Sequence, residues 1–288
     1  MPNTLAHIGL QVPLGKTGFP KIPLQWILVG CIIPDIPWIL QRILKMIPLI
    51  DPVPLRLYAI IQASFFSCCI LSLIFALLTR KTGFIFLILS ANSLFHLLLD
   101  ACQIKWGNGV HLLAPFSWHT TNFGFFWPED SITLIITAMG IAALIYYWPK
   151  ASKSKLFLQN PNRTKAIFLT VFTIPLLFIK DAYNADVHYS KTILNQSVQS
   201  GKPVEIDRGY YNSITKTIGN YADRALPLNN PPKIDSGSLS IRGIFDRKNS
   251  ITVTEFHKHK GFRDYASYAG LFSILLIWLH SIIRIRTN

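Results

Sequence analysis

His96 and Asp100 lie four residues apart in "SLFHLLLDACQ", an otherwise apolar run, so a helix would project both side chains from one face. At that spacing an imidazole and a carboxylate can approach one cation, or the carboxylate can orient the imidazole as its hydrogen-bond partner. The competing reading is a hydrogen-bonded pair that only fixes helix packing. Ionisable groups in apolar helices cost several kcal/mol unless they are paired, solvated or bound to something. The same argument therefore singles out His7 in "MPNTLAHIGLQ" and Asp35 in "GCIIPDIPW". Pro34 and Pro37 flank Asp35 and predict that its helix ends there, with the carboxylate at the mouth of the span and able to meet Asp100. His280, in the last apolar run, reads as a packing histidine. His111, His119, Glu129 and Asp130 follow in a loop and read as solvated. Cys31, Cys68, Cys69 and Cys102 lack CxxC spacing and read as small buried hydrophobes.

The elements that must position these groups are membrane helices. Half of the 288 residues are apolar and only 15% are charged, with a mean hydropathy of +0.35, outside the range of an ordinary soluble domain. Leu57–Thr79 carries no charge over 23 residues, long enough to cross a bilayer core. Leu24–Leu40, Phe84–Leu99, Ser131–Trp148, Thr164–Ile179 and Ala266–Ile283 follow, about six spans in all. The first twenty residues hold prolines and glycines rather than a basic start and an apolar run, so no cleaved signal is expected there.

The net charge of +14 is distributed as topology rather than as a nucleic-acid surface. Lys150, Lys153, Lys155, Arg163 and Lys165 crowd one loop, Arg80 and Lys81 another, and Arg284 and Arg286 the C-terminal end. The positive-inside rule assigns these to the cytoplasm. His7 reaches the opposite side if Thr4–Leu14 forms one arm of a hairpin that turns at "GKTGFPK". That turn leaves Lys16 and Lys21 on the basic side.

Residues 181–265 change character, with β-like runs at Val204–Arg208, Ser238–Phe245 and Ile251–His257 separated by turn-rich "LNNPPKIDSG" and "DRKNS". The expected architecture is a mainly α polytopic bundle (1–180), a small β-rich extracytoplasmic domain (181–265), for which a compact OB-like barrel is one form, and a C-terminal span with a basic tail (266–288). Tyr210, Tyr211, His257, Lys258, His259 and Lys260 could line a groove, although a solvated strand end is the simpler reading.

"MPNTLAHIGLQ", "GCIIPDIPW", "QASFFS" and "HLLLDACQIKWGNGVHLLAPFSW" together resemble the bacterial YdjM-like family of membrane-bound metal-dependent hydrolases. That family carries an N-terminal histidine, Pro-Asp-x-Asp, Thr-His-Ser, and His-x-x-x-Asp followed by Gly-x-x-Leu-Leu-x-Pro, in this order. The resemblance covers residues 1 to about 119. His96, Asp100, Gly109, Leu112, Leu113 and Pro115 match its most specific segment. It implies a divalent metal, with zinc one candidate, held by His7, Asp35, His96 and Asp100, with Asp35 or Asp100 as proton acceptor. The implied localisation is the bacterial inner membrane, and the implied substrate a lipid-like or membrane-associated ester or phosphoester. Pro37 stands where the family has its second acid, and Gln62 where it has the Thr-His-Ser histidine. These departures keep a second expectation open: a catalytically inactive member whose external domain binds an envelope partner.

Overall fold

The computed structural model describes residues 3–151, 156, 173–187, 190–195, 199–246 and 249–287. Helix α1 (Thr4–Gly18) opens the bundle, capped by the Asn3 side chain, which accepts from the Ala6 N–H. It crosses α7 (Ser131–Ala151) through two glycines. A Cβ on Gly9 would lie 2.0 Å from the Ile136 carbonyl oxygen, and one on Gly140 would lie 1.9 Å from that of Leu5. Only hydrogen atoms fit at this crossing, so the backbones touch and α1 is locked in depth. The Asn3 amide adds a hydrogen bond to Thr137 Oγ1 at 2.8 Å.

The chain turns after Gly18 and returns as α2 (Leu24–Ile32), a 3-10 turn (Ile33–Asp35) at Pro34, and α3 (Ile36–Leu44). The hairpin expected from "GKTGFPK" is therefore present. Helix α2 runs beside α6 (Thr82–Ala101), and a Cβ on Gly30 would sit 2.6 Å from the Asn92 Cβ, so the two helices are in direct contact at that level. Trp26, Ile27, Leu28, Leu71 and Leu89 fill the core between them.

The uncharged stretch read as one span, Leu57–Thr79, is broken. Helices α4 (Pro52–Gln62) and α5 (Phe65–Leu77) meet at 70°, because Ser64 ends the run by capping α5, its hydroxyl accepting from the Ser67 N–H. Hydropathy averages over such a polar break. Among the described residues four helical segments, Leu24–Leu44, Thr82–Ala101, Ser131–Ala151 and Phe262–Ile283, are long and apolar enough to cross a membrane, and the bent pair makes a fifth if it is one span. The outward faces of α7 and the C-terminal helix (Phe262–Thr287) expose Ile135, Ile145, Phe272 and Leu275, as lipid-facing surfaces do. Most of the expected span Thr164–Ile179 lies outside the described residues; its end is a 3-10 turn at Ile174–Phe178.

The polar insert folds as a five-stranded antiparallel sheet in the order β3-β2-β1-β4-β5. Its strands are β1 (Pro203–Asn212), β2 (Thr217–Gly219), β3 (Ala225–Pro227), β4 (Gly237–Phe245) and β5 (Ile251–Lys258). Val204, Ile206, Leu239, Ile241 and Phe245 pack one face. The sheet is not closed: β3 and β5 form no ladder, and its ends are tied by the Leu228–Ile251 bridge and the Asn230 side chain on Val253, so the barrel expected as one form is not formed. Strands β2 and β3, three residues each, escape sequence reading because they are too short for an alternation.

Three contacts seat the sheet on the ends of site-bearing helices. Glu205 accepts from the Gly107 N–H at 2.5 Å, Asn108 donates to Asp207 at 3.2 Å, and Lys45 pairs with Asp223 at 2.6 Å. At the far end of the bundle the Lys16 and Lys150 ammonium groups both lie over the Tyr147 ring.

Candidate metal centre

Three elements bring their polar groups to one point. Helix α6 supplies His96 and Asp100 from one face, α1 supplies His7, and the Pro34 turn supplies Asp35. His7 Nε2 lies 3.4 Å from Asp100 Oδ1, and His96 Nε2 lies 3.6 Å from Asp35 Oδ1 and 3.9 Å from Asp100 Oδ2. The imidazoles of His7 and His96 stack with centroids 3.5 Å apart and planes 5° from parallel. One ligand atom each from His7, His96 and Asp100 lies within 4.8 Å of the other two, and Asp35 joins this group through His96. Donors on one tetrahedral zinc, with bonds of about 2.0–2.2 Å, sit roughly 3.3–3.6 Å apart. The His7–Asp100 and His96–Asp35 separations fall in that range, and the His96–Asp100 separation of 3.9 Å is longer.

His96 Nδ1 lies 2.6 Å from the Cys31 carbonyl oxygen. A carbonyl only accepts, so Nδ1 carries the proton and donates, and Nε2 is left facing the carboxylates. In a neutral ring that nitrogen presents a lone pair to two acids, an arrangement that calls for a cation between them, either a proton or a metal ion. Metal-binding histidines are commonly fixed through their second nitrogen in this way. Buried polar atoms here also lack hydrogen-bond partners: both nitrogens of His7, Nε2 of His96 and Oδ1 of Asp100. This donor set suits a borderline or hard divalent ion.

Two features differ from a bare four-ligand site. Lys105 places its ammonium 3.6 Å from Asp100 Oδ2 and is itself buried. Gln62 is buried with neither side-chain polar atom hydrogen-bonded. A narrow cavity of about 60 Å³ connects Asp100 and Lys105 to Trp38, Asn108 and His111. His111, read as solvated, is buried in this wall with Nδ1 3.0 Å from the Trp118 carbonyl oxygen. Burial is the main cause of its lowered pKa, about 4, so it is neutral near pH 7. His280 is exposed on the C-terminal helix rather than packed.

No family model, curated protein or solved structure matches this chain.

A second group escaped sequence reading. Glu129, before α7, meets His257 and His259 at the end of β5, with His259 Nδ1 3.0 Å from Oε1 and His257 Nε2 3.5 Å from Oε2. Arg208 also donates to Oε1 at 3.2 Å, and Ser240 Oγ lies 2.7 Å from His259 Nε2. The Trp127 indole stacks on His257 at 3.7 Å. These three residues could also hold a metal ion. Arg208, however, already supplies the carboxylate with a cation, so the group as it stands is an ion-pair network that docks the sheet. Burial pushes the Glu129 carboxyl up, but the His259 hydrogen bond and the charges of Arg208 and the histidines outweigh it and hold the pKa at about 2. Burial, and after it repulsion from His259, lowers the pKa of His257. In sequence the clue was "HKH" placing two histidines on one strand face, but their acidic partner lies more than 120 residues away.

Proposed function

We propose that the chain is a bacterial inner-membrane, metal-dependent hydrolase of the YdjM-like type, acting on a lipid-like or membrane-associated ester or phosphoester. The observation that carries this reading is the convergence of His7, Asp35, His96 and Asp100 from three elements, with the His96 tautomer set by Cys31. In this reading about six spans cross the bilayer, the basic end faces the cytoplasm, and the sheet is extracytoplasmic.

His7, His96 and Asp100 would hold the ion, with Asp35 beside them. A divalent ion there supplies Lewis-acid polarisation of an ester or phosphoryl oxygen and acidifies water. The chain's own groups do the rest. Asp35, with a side chain 14% exposed, is the more accessible of the two acids and accepts a proton from water entering at the mouth. The Cys31 carbonyl keeps His96 from rotating, and Lys105 offers a positive charge to an anionic substrate group.

A second reading is a catalytically inactive member whose sheet binds an envelope partner. Lys105 favours it, since an ammonium beside Asp100 supplies part of the charge a metal would bring. Pro37 and Gln62 point the same way. Metal analysis of the purified full chain, beside a His96→Ala, Asp100→Ala double variant, decides between them. The hydrolase reading expects near-stoichiometric divalent metal in the wild type and loss in the variant. Equal content in both, or none in either, refutes it.

A further inference from the structure

Between the helices and the sheet lies a cleft of about 620 Å³. Its walls come from α3, α4, β1, the turn before β3 and the start of the C-terminal helix, and carry Arg42, Lys45, Arg56, Arg208, Arg224 and Arg263. Three acids share the wall, and each is engaged: Glu205 with Arg242 and the Gly107 N–H, Asp207 with Asn108 and Ser240, Asp223 with Lys45. Arg56 has no such partner. Among the described residues no carboxylate forms an ion pair with it, and its Nε is shielded from solvent without a hydrogen bond. Aromatic faces hold its guanidinium instead, 4.6 Å from the Tyr221 ring centroid and 5.7 Å from that of Trp38. Lys45, Arg208 and Arg263 are matched by Asp223, Glu129 and Asp264, which leaves the charges of Arg42, Arg56 and Arg224 in excess, and a fixed guanidinium with an unused donor in such a cleft is built for an anion.

Two further observations say which anion and from where. The cleft shares Trp38 and Asn108 with the narrow cavity that reaches Asp100 and Lys105. Next in sequence to the cleft residues Arg42 and Lys45, Ile43, Met46 and Leu49 stand exposed, Met46 at 81% and Leu49 at 95%. Apolar side chains next to cations at the end of a membrane helix suit the level of lipid headgroups.

We infer that this cleft binds the phosphate of an anionic lipid head and presents it toward Asp100. That makes a lipid phosphoester the substrate class of the proposed hydrolase, and to that extent the inference rests on the hydrolase reading. Arg56 and Arg42 hold the phosphate oxygens, Lys105 faces the reacting end, and the acyl chains leave past Met46 and Leu49.

The test titrates the full chain, in neutral detergent, with short-chain phosphatidic acid and with phosphatidylcholine of the same chain length. The expected result is binding of phosphatidic acid about tenfold tighter or better, and an Arg56→Gln variant about tenfold weaker for that lipid. Arg56→Lys should lose less, since the ammonium keeps the charge but not the planar fork. Arg42→Gln serves as a second probe should Arg56→Gln not fold. Equal affinity for the two lipids, or wild-type binding by every folded Arg56 and Arg42 variant, overturns the inference. Glycerol 3-phosphate binding as tightly as the lipid overturns the lipid source. Metal content measured on the same preparations keeps the two readings apart. Metal-loaded protein without lipid selectivity sinks the cleft alone, and lipid selectivity without metal sinks the hydrolase alone.

Discussion

Replacing Glu129 by glutamine removes the acid that joins the sheet to the loop before α7. Its carboxyl falls from an ordinary 4.5 to about 2 in the fold. At about 1.36 kcal/mol per pKa unit this corresponds to roughly 3 kcal/mol. The network borders solvent through His257, whose side chain is 27% exposed, so screening brings the contribution to about 1–2 kcal/mol. The sign follows from the direction. A carboxyl depressed by folding gives its full stabilisation above its unfolded value near 4.5 and loses it as pH falls toward 2. His257, also lowered, adds a separate loss that begins once pH drops below about 6.5, where the unfolded imidazole takes up a proton. Wild-type stability should therefore fall in two stages on acidification. Glu129→Gln should be less stable by about 1–2 kcal/mol at pH 7 and should lose less in the second stage, to which Asp207, also held down by its neighbours, still contributes. Thermal unfolding followed by tryptophan fluorescence reads this directly, because Trp127 lies against His257. Identical acid limbs in the two proteins would show that Glu129 does not carry the charge coupling assigned to it.

Two other perturbations probe the candidate metal centre. Gly140→Ala places a methyl against the Leu5 carbonyl, which should cost about 1–3 kcal/mol and, because His7 rides on α1, reduce metal retention with it; metal content equal to wild type would show that the crossing does not position His7. Lys105→Met removes a positive charge 3.6 Å from Asp100 and should tighten divalent metal binding by about tenfold in a chelator competition, whereas unchanged or weaker binding would place the ammonium outside the field of the site.

The division into helical and sheet segments, and the polar residues His7, Asp35, His96 and Asp100 that the fold brings together, were legible in sequence for physical reasons. A charged group in an apolar run costs enough to be conspicuous, and i, i+4 spacing fixes a shared face without any tertiary information. Pro34 marked the helix break that places Asp35, and the turn after Gly18 brought His7 to the correct end. The misreadings have equally specific causes. The 70° bend at Ser64 is set by one capping hydroxyl, invisible to hydropathy. Glu129 and His257 were read as solvated because their partnership depends on how β5 docks against a distant loop. His111 read as exposed because nothing local shows that the loop after α6 folds back and buries it.

The parallel course of α2 and α6 has an electrostatic consequence of its own. Both helices reach the candidate metal centre with their carboxyl-terminal ends, each equivalent to about half a negative charge, while the amino-terminal ends of α1 and α3 offset them. The Cys31 carbonyl bound to His96 is one of those end groups. Bulk salt does not reach this depth to screen the field. What the backbone adds is thus local, the Cys31 carbonyl directed at His96, and it stays in place when any single acidic side chain is neutralised.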